Sequence, residues 1–182
     1  AAIFAAKGRP RFNPLIVHMT DASAAARQGV FNPLAEKLAA AFWPGPLTLV
    51  LPRRANASVS LLVNAGLDSV ALRVPAHPIA QALLAATDRP LAAPSANASG
   101  SITATSATHV TQELGGRVDL ILDGGATPLG LESTVIGFDG PQAVLLRPGA
   151  IARAEIEAVA GPLQAPGGAI RSPGQLASHY AP

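Results

Sequence analysis

Apolar residues recur along the chain in short stretches, and their spacing alternates between the periods of helices and strands. Helical spacing, with stop and start signals such as Gly8 and Asn32-Pro33, predicts helices at residues 1–7, 33–42, 78–86, 105–114 and 151–160. Short apolar or β-rich runs predict strands at residues 14–17, 47–51, 69–74, 90–93, 119–122, 133–138 and 142–146.

The last two of these strands are separated by Asp139-Gly140-Pro141, which predicts a β-hairpin, whereas the other strands alternate with helices and require crossovers. A hairpin and crossovers together indicate an α/β domain with a mixed, parallel and antiparallel sheet. From Gly161 onward Gly, Pro, Ser and Ala dominate. We therefore expect a domain over residues 1–160 and a linker over residues 161–182.

The composition is that of an ordinary globular domain. Of 182 residues, 49% are hydrophobic and 13% are charged, which argues against a disordered chain or a coiled coil. The chain has no cysteine, which excludes disulfides, thiolate metal sites and cysteine nucleophiles and is compatible with a reducing cytoplasm. No stretch approaches about 20 uninterrupted apolar residues, so we expect no membrane span and a cytoplasmic location.

The formal charge is +2, and the basic residues are dispersed rather than gathered into one face rich in Lys and Arg. Proteins dedicated to nucleic-acid binding usually carry such a face. The pattern therefore favours binding of a small anion, although a module that binds RNA without catalysis remains an alternative.

Basic residues crowd together in Lys7-Gly8-Arg9-Pro10-Arg11, at the end of the first predicted helix. Lysine offers a point charge and arginine a bidentate fork, so such a cluster can hold a polyphosphate. Cations are also favoured at any helix C-terminus by the helix dipole, and on charge alone this second interpretation stays open.

The segment Pro94-Ser95-Ala96-Asn97-Ala98-Ser99-Gly100 is polar and has only small side chains. Backbone N–H groups in such a loop can approach a phosphate or ribose closely, although the same composition suits an ordinary turn. The chain has neither the G-x-x-x-x-G-K-[ST] pattern of a P-loop nor the G-x-G-x-x-G pattern of a Rossmann fold.

Polar residues also stand where predicted strands begin or end. Arg73 and Arg147 close two strands, and Ser133 and Thr134 stand where a Gly-rich loop enters a third. Side chains at such places can face a pocket, although an arginine there is more often a surface cation. Metal-ligand spacing is absent among the histidines, so we predict no metal held by protein ligands; they are His18, His77, His109 and His179.

The order of these segments carries more information than any one of them. K-G-R-P-x-x-N-P-L-I-V-H, F-W-P-G-P-L-T, A-L-R-V-P, P-S-A-N-x-S-G, L-E-S-T-V and L-L-R-P-G resemble the YrdC-like family, in that family's order. The final R-S-P-G-Q-L-A-S-H-Y-A-P resembles the linker of its two-domain members. The resemblance implies a twisted mixed sheet with flanking helices around a concave nucleotide pocket.

The resemblance also implies an L-threonylcarbamoyladenylate synthase, which converts ATP, L-threonine and bicarbonate to threonylcarbamoyl-AMP and pyrophosphate, with Mg²⁺. The product would pass to downstream tRNA threonylcarbamoyl transferase proteins, which modify the adenosine beside the anticodon of ANN-decoding tRNAs. Weak binding of tRNA or double-stranded RNA is a further expectation. A carbamoyl-adenylate domain of a carbamoyltransferase is an alternative, against which the linker segment argues.

Site residues follow from the same resemblance. The ATP-binding positions would be Arg9, Asn13, Ser69, Ser95, Asn97, Thr103, Arg147 and Ser172. The threonine-binding positions would be His18, Arg73, Ala93 and Ser133. Charge develops on phosphate oxygens when pyrophosphate is displaced, so Lys7, Arg9 and Arg147 are the candidate catalytic residues, and no general base stands out.

Two features of the family are absent from this sequence. The family has a strand and a P-T-E-T-x-Y-G-L block before its first helix, and its two-domain members continue beyond the linker. We therefore expect the sequence to be the middle part of a longer protein.

Overall fold

The computed structural model describes residues 2–167, which form a six-stranded mixed sheet with flanking helices. The strands are β1 (Ile16–His18), β2 (Leu47–Pro52), β3 (Ser69–Arg73), β4 (Leu91–Ala92), β5 (Thr134–Asp139) and β6 (Gln142–Arg147). The helices are α1 (Ala2–Lys7), α2 (Ala22–Ala26), α3 (Pro33–Phe42), α4 (Pro78–Thr87), α5 (Ala107–Leu114) and α6 (Arg153–Ala160).

The spatial order of the strands is β4-β1-β3-β2-β5-β6. Neighbours β1 and β3 are parallel, as are β2 and β5, whereas the remaining neighbouring pairs are antiparallel. The prediction of a mixed α/β sheet is therefore confirmed.

Helices lie where the apolar periodicity predicts them, and their ends follow local capping. Asn32 begins α3 by accepting a hydrogen bond from the Ala35 N–H at 2.7 Å, and Pro33 follows as the first helical residue. Gly8 ends α1 with a φ of 62°, a value that glycine adopts easily. The short helix α2 was not predicted, because its Ala-rich sequence has no periodic apolar face; Asp21 caps it through the Ala24 N–H.

The predicted hairpin is confirmed, with Asp139 paired to Gln142 across the two-residue loop Gly140-Pro141. Gly140 has a φ of 55°, as the first loop position of a type II′ turn requires.

The strand predicted over residues 119–122 is wrong: these residues form no strand in the described structure. Leu120 and Leu122 are 74% and 53% exposed. A β-rich run becomes a strand only when a neighbouring strand accepts and donates its backbone hydrogen bonds, and in the described residues none does so here.

The two faces of the sheet have different surroundings. Leu49, Leu51 and Leu72 are almost completely buried on the face covered by α3 and α6, together with Leu38 of α3 and Ile156 of α6. Burial of each such side chain stabilises the fold by about 1.5–3 kcal/mol. The opposite face carries a smaller apolar cluster of Ile16, Val50, Ala71, Val135, Val144 and Leu146.

The fold continues a few residues beyond α6. Gln164 exchanges backbone hydrogen bonds with Ala143 and Leu145, both at 3.0 Å, and Leu163 is buried. The packed domain thus extends past the boundary predicted at residue 160. The predicted linker from residue 168 onward, including Ser172, lies outside the described residues. Within residues 2–167, no helix has the length and apolar character needed to cross a membrane.

Candidate active site

The strand topology brings distant polar residues to one edge of the sheet. Because β1 and β3 are parallel, their carboxyl ends meet there, and His18 is the direct cross-strand partner of Arg73. Strands β2 and β5 begin at this edge and β6 ends at it, which brings Thr48, Ser133 and Arg147 to the same place. Residues from five strands or strand-flanking loops therefore surround one region.

A cavity with two lobes lies in this region. The strand lobe, of about 250 Å³, is lined by residues that include His18, Arg73, Ala93, Ser133 and Arg147. The loop lobe, of about 310 Å³, is lined by residues that include Lys7, Asn13, Asn97, Ser99 and Gly100. The lobes share the lining residues Arg9, Ser95, Thr103 and Glu132 and are therefore adjacent.

Lys7 connects α1 to the small-residue loop. Its Nζ donates to the backbone carbonyls of Ser95 and Asn97, and the Ser99 N–H donates back to the Lys7 carbonyl at 2.9 Å. Burial, and then the charge of Arg9, lower the pKa of Lys7 to about 8, against a smaller opposing effect of Glu113 and Glu132. Lys7 is therefore mostly charged near neutral pH but titrates only a little above it.

Arg9 lies between the two lobes, with its guanidinium turned back toward its own chain. Its Nε donates to the Asn13 carbonyl at 3.3 Å and its Nη2 to the Pro14 carbonyl at 2.8 Å. Burial lowers the pKa of Arg9, and the charge of Arg147 adds to this effect while Glu132 opposes it. Lys7 and Arg9 of the predicted basic cluster are thus part of a cavity wall, whereas Arg11 is exposed and lines neither lobe.

The loop after β4 is anchored on both sides. Asn97 donates from Nδ2 to the Ser101 carbonyl at 2.7 Å, and the Ala98 N–H donates to Glu113 Oε2 on α5 at 2.8 Å. The buried Oδ1 atoms of Asn13 and Asn97 have no hydrogen-bond partner among the described residues. Buried acceptors of this kind usually have a partner, so this lobe is suited to a donor such as a hydroxyl or water.

Arg147 is fixed by the residues that precede β5. Its Nη1 contacts Glu132 Oε2 at 2.6 Å, and its Nη2 donates to the Ser133 carbonyl at 2.7 Å and to Ser133 Oγ at 3.0 Å. Ser133 Oγ also shares a hydrogen bond of 2.7 Å with Thr48 Oγ1 of β2. This network places charged and hydroxyl groups in the wall of the strand lobe.

The other side of the strand lobe is formed by His18 and Arg73. Burial, and then the charge of Arg73, lower the pKa of His18 to about 4, so its imidazole is neutral at pH 7. Burial and the charge of Arg147 lower the pKa of Arg73, whose Nε donates to the Gly45 carbonyl at 3.1 Å. The Arg73 guanidinium can therefore bind a carboxylate at this place, while the neutral His18 imidazole beside it adds no charge.

The charges of the cavity are unbalanced. Its lining residues include the cations Lys7, Arg9, Arg73 and Arg147, and Glu132 is their only carboxylate among the described residues. No group of three or more His, Cys, Asp and Glu residues suited to a metal occurs in residues 2–167. The excess of cations favours an anionic ligand over a cationic one.

Ser69 is not brought to this cavity. It lies at the opposite end of β3, four residues or about 13 Å from Arg73 at the usual strand rise. There it lines a separate cavity of about 580 Å³ with Val30, Asp68 and Phe138. A third cavity, of about 700 Å³, lies beside α2 and α3. Both are larger than either lobe, but neither gathers several cations.

Three residues of the site were not predicted. Glu132 pairs with Arg147, Thr48 bonds Ser133, and Glu113 holds the backbone at Ala98. Glu132 stands directly before Ser133 in the L-E-S-T-V segment, so its nearness to the site could have been inferred from that neighbour, but its pairing with Arg147 could not. Thr48 ends the F-W-P-G-P-L-T segment, which could have drawn attention to it, whereas Glu113 belongs to none of the ordered segments and only the tertiary structure brings it to the site.

Similar proteins are found over nearly the whole chain. A threonylcarbamoyl-AMP synthase of Bacillus subtilis is 47% identical, covering 99% of this chain and 54% of the relative. One of Pyrococcus abyssi is 46% identical, covering 99% of this chain and 55% of the relative. The solved structure of P. abyssi Sua5 complexed with L-threonine matches with a TM-score of 0.91 and 46% identity, over 99% of this chain and 55% of that one.

The chain thus spans about half the length of these relatives. The YrdC-like fold expected from the ordered motifs is confirmed. Residues 1–149 match the family model of Sua5, YciO and YrdC, which is described as "Telomere recombination". The chain belongs to this Sua5/YciO/YrdC family.

Proposed function

We propose that this chain carries the active site of an L-threonylcarbamoyladenylate synthase. The observation that supports the proposal most strongly is the two-lobed cavity, in which Lys7, Arg9, Arg73 and Arg147 meet neutral polar groups. The relatives named threonylcarbamoyl-AMP synthase and the threonine complex of P. abyssi Sua5 support the same activity. The substrates would be ATP, L-threonine and bicarbonate.

The strand lobe is suited to threonine. Arg73 would hold the amino-acid carboxylate, and the neutral imidazole of His18 would contact the substrate without repelling its ammonium. Ser133 and the backbone at Ala93 would supply the remaining polar contacts.

The loop lobe is suited to the nucleotide. Lys7 and Arg9 would face its phosphates, and Asn13, Ser95, Asn97 and Thr103 would contact phosphate or ribose oxygens. Ser69 lies on the same side of β3 as Arg73, because side chains two and four residues apart share a face. A contact from Ser69 would therefore need a ligand that extends along the sheet.

The reaction can proceed without a covalent enzyme intermediate. The threonine ammonium loses a proton to solvent, and the free amine attacks the carbon of bicarbonate with loss of water. A carbamate oxygen then attacks the α-phosphorus of ATP with release of pyrophosphate. Negative charge grows on the phosphate oxygens, where Lys7, Arg9 and Arg147 would stabilise it. Positioning of three reactants in one cavity would supply much of the remaining rate enhancement.

Magnesium would enter as part of the substrate. The described cavity offers one carboxylate, Glu132, which is already paired with Arg147, and Mg²⁺ usually keeps waters and bridges nucleotide phosphates. MgATP therefore fits these residues better than a metal held by the protein. Bound Mg²⁺ would neutralise part of the phosphate charge.

A direct assay tests the proposal. The purified full gene product is incubated with MgATP, L-threonine and bicarbonate, pyrophosphate is quantified, and the adenylate is identified by mass. We expect pyrophosphate release that depends on both threonine and bicarbonate. Release that ignores threonine, or none from the full gene product, would reject the proposed activity.

The same proposal has a cellular side. We infer that the adenylate passes to tRNA threonylcarbamoyl transferase proteins in the cytoplasm, where its tRNA target is found. The cationic cavity wall could also give weak contact with tRNA or double-stranded RNA. Such binding should weaken steeply with salt, in proportion to the number of phosphate contacts.

A further inference from the structure

Glu132 occupies the junction of the two lobes and lines both of them. Its Oε2 lies 2.6 Å from Arg147 Nη1, and the two side chains are only 13% and 4% exposed. Its charge also acts on Lys7 and Arg9, since it opposes the lowering of the pKa of both. One carboxylate is thus placed among three cations that line the two lobes, Lys7, Arg9 and Arg147.

The backbone that carries Glu132 is held firmly. The Ala150 N–H donates to the Glu132 carbonyl at 2.9 Å. Gly149 packs so closely that a Cβ there would lie 2.5 Å from the Glu132 carbonyl oxygen and the Thr134 nitrogen. Thr134 Oγ1 in turn exchanges hydrogen bonds with Ile151 at 2.8 and 3.0 Å. The carboxylate therefore belongs to a well-fixed backbone segment, which precedes β5 and packs against the residues that follow β6.

The guanidinium of Arg147 is oriented from two consecutive residues. Glu132 accepts on one side, and Ser133 accepts through its carbonyl and its hydroxyl on the other. A planar guanidinium bound at several of its N–H groups has little freedom to rotate. By orienting the Arg147 guanidinium in this way, Glu132 would affect the reaction indirectly, through the position of that cation.

We propose that Glu132 is a positioning residue of this active site, which orients the Arg147 guanidinium and balances the neighbouring cations so that they face the nucleotide phosphates together. This inference deepens the proposed function and rests on it. A carboxylate that served folding alone would not influence the rate of the chemical step in a folded variant.

The test compares Glu132→Gln, which keeps the shape and removes the charge, with Glu132→Asp, which keeps the charge. Glu36→Gln, on α3 away from the two lobes, is the control for loss of one negative charge. For Glu132→Gln we expect kcat to fall about tenfold or more, as when a charge-assisted hydrogen bond to a functional group is lost. Glu132→Asp should restore part of the rate, and Glu36→Gln should match the unmodified protein.

The pH profile is the second readout. The charged groups that act on Lys7 are Arg9 on its own segment, Glu113 on α5 and Glu132. Because Glu132 favours the charged form of Lys7, its removal should move the alkaline loss of ATP affinity to lower pH. Calorimetric titration of ATP against pH measures this shift without requiring turnover, so it tests the inference even if no adenylate is made.

Each outcome decides the matter. A reduced kcat with an acid-shifted ATP profile supports the positioning role. Values of kcat, KM and pH profile equal to those of Glu36→Gln would overturn it, as would rescue of Glu132→Gln by raised Mg²⁺, which would make Glu132 a metal contact. If Glu132→Gln does not fold, Glu132→Asp provides the test. A folded Glu132→Asp variant with a kcat below that of the unmodified protein supports the inference, and an unchanged kcat rejects it.

Discussion

Two ion pairs of the structure have similar distances between their charged atoms but differ in exposure to solvent and in their position in the fold. Arg147 and Glu132 meet at 2.6 Å with side chains 4% and 13% exposed, whereas Arg153 and Glu157 meet at 2.8 Å with side chains 55% and 32% exposed. The first pair joins the end of β6 to the loop before β5, and the second links adjacent turns of α6. The distance between the charged atoms therefore does not show which pair contributes more to stability or to function.

Exposure to solvent determines how much each pair contributes to stability. An exposed pair gains little because water screens it and because two long side chains must be ordered. A buried pair loses hydration on both sides, so removal of one partner leaves a charge that neither water nor protein compensates. The cavity keeps such charges at a cost to stability, which is expected where charges serve binding or catalysis.

The largest effect should come from Arg147→Ala, which leaves the Glu132 carboxylate buried without its cation. We expect the free energy of unfolding to fall by about 3–5 kcal/mol and adenylate formation to be lost. Urea unfolding and the pyrophosphate assay measure the two effects. Arg153→Ala is the matched control, and a loss for Arg147→Ala no greater than for this control would contradict the comparison.

His18 should make the cavity sensitive to acid. Its pKa is lowered to about 4 in the folded chain, so between pH 6.5 and 4 the unfolded chain binds more protons at this residue. The free energy of unfolding should therefore decrease as pH falls through this range, by roughly 1–3 kcal/mol. His18→Gln should lose this component, and the exposed His77→Gln variant should retain it in denaturant titrations at several pH values.

Lys7 should give opposite pH dependences for stability and for ligand binding. Between pH 8 and 10.5 the unfolded chain keeps a proton that folded Lys7 has lost, so alkali should stabilise the empty protein. ATP affinity should instead fall above pH 8, by at most about tenfold per pH unit, because the anion favours charged Lys7. Calorimetry on Lys7→Met should show neither trend, and persistence of both would exclude Lys7 as their source.

The smallest effect should come from Glu157→Gln on α6. The side chain of Glu157 is 32% exposed, and the pKa of its carboxylate is lowered first by its hydrogen bond to Arg153. Loss of such a solvent-screened pair should leave the free energy of unfolding almost unchanged, with kcat and KM also unchanged. Thermal unfolding and the pyrophosphate assay provide the check; a larger loss would show that the Leu163 N–H bond of 3.1 Å carries more stability than the ion pair.

Local patterns accounted for much of the fold. The cap and spacing of residues 32–42 specify α3, and Gly140 with its flanking β-rich runs specifies the hairpin, because each signal acts within a few residues. Residues 119–122 have the same β-rich character but form no strand, since pairing depends on a partner elsewhere. The short helix α2 has a cap but no apolar period that would have predicted it.

The residues of the candidate site were also predicted from the sequence only in part. Lys7, Arg9, Arg73, Ser95 and Arg147 were predicted from ordered segments, and the structure brings them into one cavity. Ser69 belongs to the same set of predictions but lies at the far end of β3. Whether these residues contact substrates stays a prediction, which the variants above can test.

The sequence by itself determined which residues could bind anions, where most helices begin and end, and the family to which the chain belongs. Only the tertiary structure decided that Glu132 lies among Lys7, Arg9 and Arg147, and that His18 is neutral beside Arg73. Charge and hydrogen-bonding capacity are properties of single residues. Burial and proximity arise when strands distant in sequence pair side by side, and it is these that set pKa values and orient a guanidinium.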